Sequence, residues 1–322
     1  MRTPPDIDPN ARLRFILNGR SGSQDRDATH EAIESTLKSA GRPGELIYCQ
    51  PSELQRVAAG AATQALAERS AIVAVGGDGT INAVAQAAHA SGCALGVIPR
   101  GTFNYFARTH RLPLDVAEAT SHLLAARPVP VQVAAINEQV FLVNASVGLY
   151  PQLLEDREAW KSRFGRNRLV ALGAAFATLM RTPNRLTLSF ELDGVARELR
   201  TLTLFVGNNR LQLEQVGVAD HASGAAPADN GRVTAVVLKP IGTLGLLRLM
   251  LNGAMGSLGE AEGIEHFEFE QMVVKPPRMM RLRRMKVAFD GEVTRMKPPL
   301  NFRVMPEPLY LLKSEASGEE TA

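Results

Sequence analysis

Short runs of β-branched and aliphatic residues alternate with longer helical patterns from residue 13 to about residue 126. The predicted strands are residues 13–17, 45–48, 71–75 and 95–98, and the helices between them are residues 27–39, 53–69 and 81–90. Gly41 and Gly92 stand where helices commonly end in a left-handed residue. This alternation is typical of a parallel sheet covered by crossover helices, so we expect a doubly wound α/β fold.

The pattern changes after Pro130, where period-two alternation becomes dominant. Residues 131–143 alternate around the turn residues Asn137 and Glu138, and long strand patterns return at residues 185–192 and 195–206. We therefore expect antiparallel β-structure throughout this part of the chain. Apolar helices are also predicted at residues 167–180 and 244–258. We further expect a Pro/Gly-rich loop at residues 217–231 and a frayed tail at residues 313–322.

The net charge of the chain is small, since 36 lysines and arginines against 33 acids give +3 over 322 residues. This balance does not indicate a nucleic-acid partner, and any basic surface must be local. Cys49 and Cys93 lie far apart and match neither a disulfide framework nor a zinc-binding spacing. No signal-peptide core is visible, and the longest uncharged apolar run extends only from residue 169 to residue 180, whereas a bilayer span takes about 20 residues. We expect a cytoplasmic protein.

Glycine-rich turns follow three of the predicted strands. Residues 76–80 read GGDGT between a strand and a helix, residues 101–104 read GTFN, and residues 18–22 read NGRSG. Glycines let backbone N–H groups approach an anion closely, and the start of the following helix adds a positive dipole, so phosphate is the expected ligand. The chain has no GxxxxGK[ST] sequence, so a Walker A loop is not indicated. Residues 77–79 begin like a dinucleotide fingerprint, but its third glycine is missing because position 82 is asparagine.

Asp78 and Glu292 each have a plain structural alternative. Asp78 cannot itself bind phosphate, so it either holds a metal ion or a hydroxyl or merely caps the helix that follows. Glu292 follows Asp290-Gly291, a hairpin signal between two strand patterns, and an ordinary exposed strand residue would fit that position.

Taken together, these blocks resemble the diacylglycerol kinase catalytic family, which includes bacterial lipid kinases and sphingosine kinases. Residues 76–80 match its GGDGT block, residues 101–104 match GTxN, and residues 18–22 match NPxSG with Gly19 in place of proline. Blocks of the same family are visible at residues 141–148, 206–209 and 289–292. The resemblance extends from about residue 13 to residue 312.

The resemblance implies two domains, with ATP bound between an α/β domain and an antiparallel β-sandwich. Residues 1–130 with 300–322 would form the nucleotide-binding domain, and residues 131–299 would form the lipid-substrate domain. Glu292 would accept the proton of a lipid hydroxyl while the γ-phosphoryl group of ATP is transferred, with Asp78 as a second catalytic acid. The residues expected to bind ATP are Asn18, Gly19, Arg20, Ser21, Gly22, Gly76, Gly77, Asp78, Gly79, Thr80, Ile81, Asn82 and Thr102.

Two positions depart from the family pattern. Many relatives have an aspartate after GTxN, in a metal and water network, where this chain has Tyr105. The family's Mg²⁺-binding loop often has two acids before a glycine, whereas this chain has Asp229 followed by Asn230. Asp229 remains a candidate metal ligand, but the missing charge would weaken a structural Mg²⁺ site. The Mg²⁺ that bridges the phosphates of ATP is a separate ion.

A basic segment suggests where lipid docks. Residues 275–297 contain eight lysines and arginines and two acids, interleaved with methionines, which suits an anionic membrane surface. A solvated strand face with methionines in the core is the alternative. We expect a lipid partner and peripheral attachment at the inner membrane face. The sequence does not decide between a monomer and a homodimer. An NAD kinase and a nucleotide- or lipid-binding regulator without turnover are the competing functions.

Overall fold

The structure, a computed structural model, describes residues 2–18, 23–148, 186–192, 195–201, 203–208, 231–238, 264–275 and 284–314. The chain divides into two compact units, residues 1–133 with 305–322 and residues 134–304. The helices predicted at residues 167–180 and 244–258 lie outside the described residues, as does nearly all of the loop predicted at residues 217–231.

The first unit contains a mixed sheet. Its strands are β1 (Leu13–Asn18), β2 (Gly44–Cys49), β3 (Ala71–Gly76), β4 (Ala94–Pro99), β5 (Arg127–Val131) and β18 (Leu309–Lys313). They are ordered β2-β1-β3-β4-β18-β5, and only β5 pairs antiparallel to its neighbour. The four strands predicted before residue 100 are confirmed to within one residue at each end. β1, β3 and β4 are buried runs rich in aliphatic residues, whereas β2, at the edge of the sheet, is mostly half-buried or exposed.

Helices cover this sheet on both faces. They are α1 (Ser23–Ser39), α2 (Leu54–Ala67), α3 (Asp78–Ser91), α4 (Tyr105–Thr109) and α5 (Val116–Leu124). Leu13, Phe15 and Leu17 share a core cluster with α1 and α5, whereas α2 packs against α3. β2 and β3 lie on opposite sides of β1, so the strand order of the sheet reverses direction at β1. Ligands of open α/β sheets bind at such a reversal, outside the carboxyl ends of the strands.

The second unit contains two sheets that pair antiparallel throughout the described residues. One has the order β10-β9-β14-β17-β6-β7 and the other has the order β13-β12-β11-β8-β15-β16. Their bounds are β6 (Ala134–Ile136), β7 (Gln139–Phe141), β8 (Asn144–Gly148), β9 (Leu186–Leu192), β10 (Val195–Thr201), β11 (Thr203–Gly207), β12 (Val233–Leu238), β13 (Ile264–Phe269), β14 (Gln271–Lys275), β15 (Met285–Phe289), β16 (Glu292–Met296) and β17 (Leu300–Val304).

One hydrophobic core joins these two sheets. Phe141 and Phe302 from the first sheet and Val147 and Val237 from the second belong to a single buried cluster. Two antiparallel sheets that share one core form a sandwich. The predicted fold class, an α/β unit followed by an antiparallel β-sandwich, is confirmed.

Two strand predictions need correction. Residues 195–206 form two strands, β10 and β11, which belong to different sheets of the sandwich. The break lies between Thr201 and Thr203, where the hydroxyl of Thr201 accepts a hydrogen bond from the N–H of Thr203 and donates one to the carbonyl of Thr203. Lys313 was predicted to open a frayed tail, but it is the last residue of β18, paired with Arg127.

Both predicted hairpin turns are confirmed. Asn137, between β6 and β7, has a φ of 54°. Asp290 and Gly291, between β15 and β16, have φ values of 44° and 85°, so both central residues of that turn are left-handed. This is the geometry of the Asp-Gly turns that match the twist of paired strands.

Candidate active site

The carboxyl ends of β1, β3 and β4 lie at one edge of the first sheet, because these strands are parallel neighbours. Asn18 is the last residue of β1 and is half-buried. The rest of the predicted first loop, namely Gly19, Arg20, Ser21 and Gly22, lies outside the described residues. The other two glycine loops are described, and they contact each other.

The turn after β3 leads directly into α3. Gly76 ends the strand, Gly77 is the N-cap of the helix, and Asp78 is its first residue. Because Gly77 has no side chain, no cap side chain can occupy the N–H groups of the first helical turn. The remaining predicted residues, Gly79, Thr80, Ile81 and Asn82, form that turn and the start of the next. An anion at this position would meet those N–H groups and the positive end of the dipole.

Glycine is required where the two loops meet. A Cβ atom on Gly101 would lie 2.9 Å from the Cα of Gly77 and 2.8 Å from Oδ1 of Asn104. A Cβ atom on Gly76 would lie 2.7 Å from the Thr80 side chain. The N–H of Arg100 donates to the carbonyl of Gly76 over 2.8 Å, which fixes one loop against the other. The backbones therefore approach more closely than any residue with a side chain allows.

Asn104 shapes the GTFN loop from within. Its Oδ1 accepts a hydrogen bond from the N–H of Gly101 over 2.8 Å, and its Nδ2 donates to the carbonyl of Gly101 over 3.0 Å. It has a φ of 52° and is the N-cap of α4. Thr102, the residue of this loop predicted to bind ATP, lies between Gly101 and Asn104 in the chain and is exposed. The amide side chain closes the loop, leaving the hydroxyl of Thr102 at the surface.

Asp78 is a partly desolvated acid between two helix starts. Burial raises the pKa of its carboxyl group, while the backbone N–H groups of Phe106, Asn104 and Tyr105 act in the opposite direction and lower the pKa. Its Oδ1 atom is buried and has no hydrogen-bond partner among the described residues. Asp78 thus does more than cap α3, because its carboxyl group also interacts with backbone N–H groups at the beginning of α4, while one buried oxygen has no hydrogen-bond partner among the described residues.

Tyr105, which stands where many relatives have an acid, places an aromatic ring at this site. It stacks on Phe103 with ring centroids 5.4 Å apart and the ring planes within 5° of parallel. Position 105 therefore supplies an aromatic side chain and no carboxylate to this site.

A magnesium ion fits this site only in part. Within the described residues there is no group of three or more acids, histidines or cysteines that could hold a metal ion by itself. The unpaired oxygen of Asp78 can supply one ligand, and Mg²⁺ in kinases is commonly held by one or two carboxylates together with substrate phosphates. Asp229 and Asn230, the second candidate metal position, lie outside the described residues.

In the second unit, the carboxylate of Asp290 is buried against a backbone segment. Its Oδ2 accepts a hydrogen bond from the N–H of Leu142 over 2.8 Å, and its Oδ1 accepts from Val143 over 2.8 Å and from Asn144 over 3.1 Å. The N–H of Asp290 in turn donates to the carbonyl of Asn144 over 3.0 Å. Asp290 therefore fixes the β15–β16 turn to the start of β8.

The sequence blocks of the second unit converge on the same segment. Asn208 donates from its backbone N–H to the carbonyl of Val143 over 2.7 Å and from Nδ2 to the carbonyl of Leu142 over 3.1 Å. Residues 141–148, 206–208 and 289–292 thus meet around one stretch of backbone. Asn209 lies outside the described residues.

Glu292 occupies an exposed position on this hairpin. It is the first residue of β16 and pairs with Phe289, the last residue of β15. Its backbone is held by the turn that Asp290 anchors, while its side chain is open to solvent. The role of Glu292 as proton acceptor stays a prediction.

Sequence reasoning missed the structural importance of Asn104 and Asp290. Asn104 was noted as part of a motif, yet its double hydrogen bond to Gly101 was not anticipated. Asp290 was interpreted as a turn residue within the block at residues 289–292, and its buried carboxylate contacts were not predicted. An asparagine that tolerates positive φ was a usable signal for Asn104, whereas the partners of Asp290 lie about 150 residues away in sequence and left no local signal.

Comparison with known proteins agrees with these features. The family described as "Diacylglycerol kinase catalytic domain" matches residues 12–136. A Pseudomonas syringae pv. tomato protein named "Probable lipid kinase YegS-like" is 33% identical over 254 residues, which cover 76% of this chain and 77% of the relative. A Cronobacter sakazakii protein of the same name is 32% identical over 139 residues, which cover 42% of this chain and 44% of the relative.

A solved structure described as a diacylglycerol kinase from Bacillus anthracis str. Sterne shares the fold. It superimposes with a TM-score of 0.65 at 17% identity and covers 96% of this chain and 98% of the other. An α/β unit with a glycine-lined sheet edge, together with an antiparallel β-sandwich, defines the fold class of this protein. The chain belongs to the diacylglycerol kinase catalytic-domain family, whose curated relatives are named as lipid kinases. Among the helices of the described residues, none combines the length and hydropathy that crossing a membrane requires.

Proposed function

We propose that this protein is an ATP-dependent lipid kinase that transfers the γ-phosphoryl group of ATP to a lipid hydroxyl, of diacylglycerol or a related lipid. The observation that carries the proposal is the contact between Gly77 and Gly101 beside the unpaired Oδ1 of Asp78. It supports a phosphate site at the start of α3 with one acid within the same loops. The names of the relatives support a lipid as acceptor.

The expected chemistry is an in-line displacement at the γ-phosphorus. The lipid oxygen forms a new P–O bond, the bond between the γ-phosphorus and the β,γ-bridging oxygen breaks, and ADP leaves. The hydroxyl proton passes to the carboxylate of Glu292. Mg²⁺, when bound with ATP, neutralises phosphate charge, and Asp78 is the residue expected to hold it.

Each half of this proposal rests on particular residues. N–H groups at the start of α3 would hold the phosphates, with Gly77 and Gly101 keeping side chains out of their way. Glu292 would act from a hairpin whose turn Asp290 holds in place. A placed general base contributes about 10² to 10⁴-fold to the rate.

Phosphate transfer from labelled ATP to mixed-lipid vesicles by the purified full chain tests the proposal. We expect a labelled lipid product in the presence of Mg²⁺ or Mn²⁺, and Glu292→Gln should lower turnover about a hundredfold while ATP affinity is kept. Glu268→Gln is the matched control, since Glu268 is an exposed strand glutamate of the same sheet and should leave turnover unchanged.

Three results would contradict the proposal in different ways. Formation of NADP from NAD and ATP, without lipid product, would favour an NAD kinase. ATP binding by calorimetry without transfer to any lipid of a broad panel would favour a regulator. Equal turnover by Glu292→Gln and the parent protein would remove Glu292 as the base.

A further inference from the structure

An exposed patch of aromatic and basic side chains lies beside the candidate phosphate site. We define the aromatic–arginine patch by Arg100, Phe103, Tyr105, Arg108 and Arg111. Phe103 is the most exposed large apolar residue of the described chain, at 48%. All three arginines are exposed as well. Half-buried Tyr105 stacks on Phe103, so the two rings together expose an apolar surface beside the candidate phosphate site. Exposed apolar surfaces of this kind often mark interaction sites.

We propose that the aromatic–arginine patch docks on an anionic lipid bilayer and brings the phosphate loops to the membrane surface. This inference rests on the proposed function, because a lipid acceptor requires this edge of the sheet to approach a bilayer. It assigns the membrane contact to a surface of the first unit, whereas the sequence suggested the basic segment 275–297.

The local charge favours a negative partner. Residues 100–111 contain three arginines and no aspartate or glutamate. Two nearby acids do not offset this charge at the surface. The carboxyl group of Asp78 is partly buried. The carboxylate of Asp115 caps α5 by accepting hydrogen bonds from the N–H groups of Ala117 and Glu118. A chain of net charge +3 therefore concentrates an equal positive charge within these twelve residues.

The aromatic pair fits the interface of a bilayer. Phe103 and Tyr105 are stacked, so they present one continuous apolar surface with a phenolic hydroxyl. Such rings favour the boundary between head groups and acyl chains. Nε of Arg108 donates to the carbonyl of Phe103 over 3.0 Å, which holds a cation next to the ring. An apolar surface flanked by arginines is the combination that binds anionic lipid.

The position of the patch links docking to catalysis. Arg100 and Phe103 flank Gly101, which lies against the turn that contains Gly77 and Asp78. Insertion of Phe103 into the head-group layer would bring the start of α3 close to the lipid surface, because Gly101, two residues before Phe103, lies against Gly77. The hydroxyl of a lipid acceptor lies in that layer, so the acceptor need not leave the bilayer.

Vesicle sedimentation without ATP tests docking separately from phosphate transfer. Full-length protein should sediment with phosphatidylglycerol–phosphatidylcholine vesicles and much less with pure phosphatidylcholine vesicles. We expect Phe103→Ala to weaken the partition coefficient about tenfold and Arg111→Gln to weaken it about fivefold. Leu66→Ala and Arg12→Gln are the matched controls, because both residues are exposed at the opposite edge of the sheet.

A second variant keeps the test decisive if Phe103→Ala folds poorly. Phe103→Trp should sediment like the parent, and brominated lipids should quench its added fluorescence after subtraction of the parent spectrum with Trp160. Equal sedimentation of Phe103→Ala and the parent, or no quenching of Phe103→Trp, would overturn the proposal. Unchanged sedimentation with weaker ATP binding would assign the ring pair to the nucleobase instead. If docking follows these expectations but no lipid is phosphorylated, the proposed function fails and the membrane surface stands.

Discussion

Asp290 and Asn144 exchange hydrogen bonds in both directions, although they are far apart in sequence. Oδ1 of Asp290 accepts from the N–H of Asn144 over 3.1 Å, and the N–H of Asp290 donates to the carbonyl of Asn144 over 3.0 Å. Two further N–H groups, of Leu142 and Val143, point at the same carboxylate. This buried anion is therefore solvated by backbone alone at these contacts, and Glu292 stands two residues beyond it.

Asp290→Asn should destabilise the protein by about 3 kcal/mol, because the amide loses a charge-assisted acceptor and turns a donor toward backbone donors. Urea unfolding followed by circular dichroism measures the change. Turnover should fall as well, since the hairpin that carries Glu292 loses its attachment. Glu292→Gln, at an exposed site, should change stability by no more than about 0.5 kcal/mol. Equal stability of Asp290→Asn and the parent would show that the contact contributes nothing.

Gly101→Ala should separate the two glycine loops, because its Cβ atom would lie 2.9 Å from the Cα of Gly77. We expect a loss of about 1–3 kcal/mol in the free energy of unfolding and weaker ATP binding. Gly60→Ala is the control, since Gly60 lies in α2 and a Cβ atom there would have nothing within 4 Å. That change should stabilise the protein by about 0.5–1 kcal/mol. Calorimetric ATP binding by Gly101→Ala at parental affinity would contradict the close-approach argument.

Asp78→Asn should make the nucleotide-free protein more stable near pH 7.5. Burial raises the pKa of Asp78 in the folded state, so ionisation costs stability. The cost is absent below the unfolded pKa of about 4, grows as the pH rises through the folded pKa, and is complete above it. Thermal unfolding between pH 4.5 and pH 8 should therefore show that Asp78→Asn is more stable than the parent protein, with a difference in stability that becomes smaller as the pH falls. A variant less stable than the parent at pH 7.5 would mean that the N–H contacts of Asn104, Tyr105 and Phe106 outweigh burial.

Cys93 should be inert toward thiol reagents in the folded protein. Burial, the largest influence, raises the pKa of its thiol to about 11, so only about one molecule in a thousand carries the thiolate at pH 8. Cys49 is buried too, and burial raises its pKa. Ellman's reagent should modify neither residue at pH 8 within an hour and both rapidly in urea, with peptide mass spectrometry assigning the sites. Fast labelling of Cys93 without denaturant would indicate local opening near β4.

The first unit could be predicted well from sequence because its signals are local. The aliphatic runs that form β1 and β3 are buried on both faces and end at polar or glycine residues, so their limits are visible in the sequence itself. Gly92 ends α3 with a φ of 81°, as its position predicted. The glycine loops at residues 76–80 and 101–104 were predicted at the correct edge of the sheet for the same reason, since parallel strands place their carboxyl ends together.

The sandwich was harder to predict because its signals depend on distant partners. Alternation in residues 195–206 indicated strand correctly, but alternation does not encode which sheet a strand joins. The change of sheet at Thr201 depends on neighbours from β8, β9 and β12. The anchoring role of Asp290 depends likewise on residues 142–144. An acid in a tight turn has the same local pattern whether its carboxylate faces water or a row of buried N–H groups.

The arrangement of β18 has a consequence for biosynthesis. This strand lies between β4 and β5 and pairs with both, yet it follows the whole sandwich in the sequence. A ribosome therefore releases the first four strands and β5 long before the strand that separates β4 from β5 exists. The sheet of the first unit must wait, with the facing edges of β4 and β5 unpaired, while the sandwich is translated and can fold first.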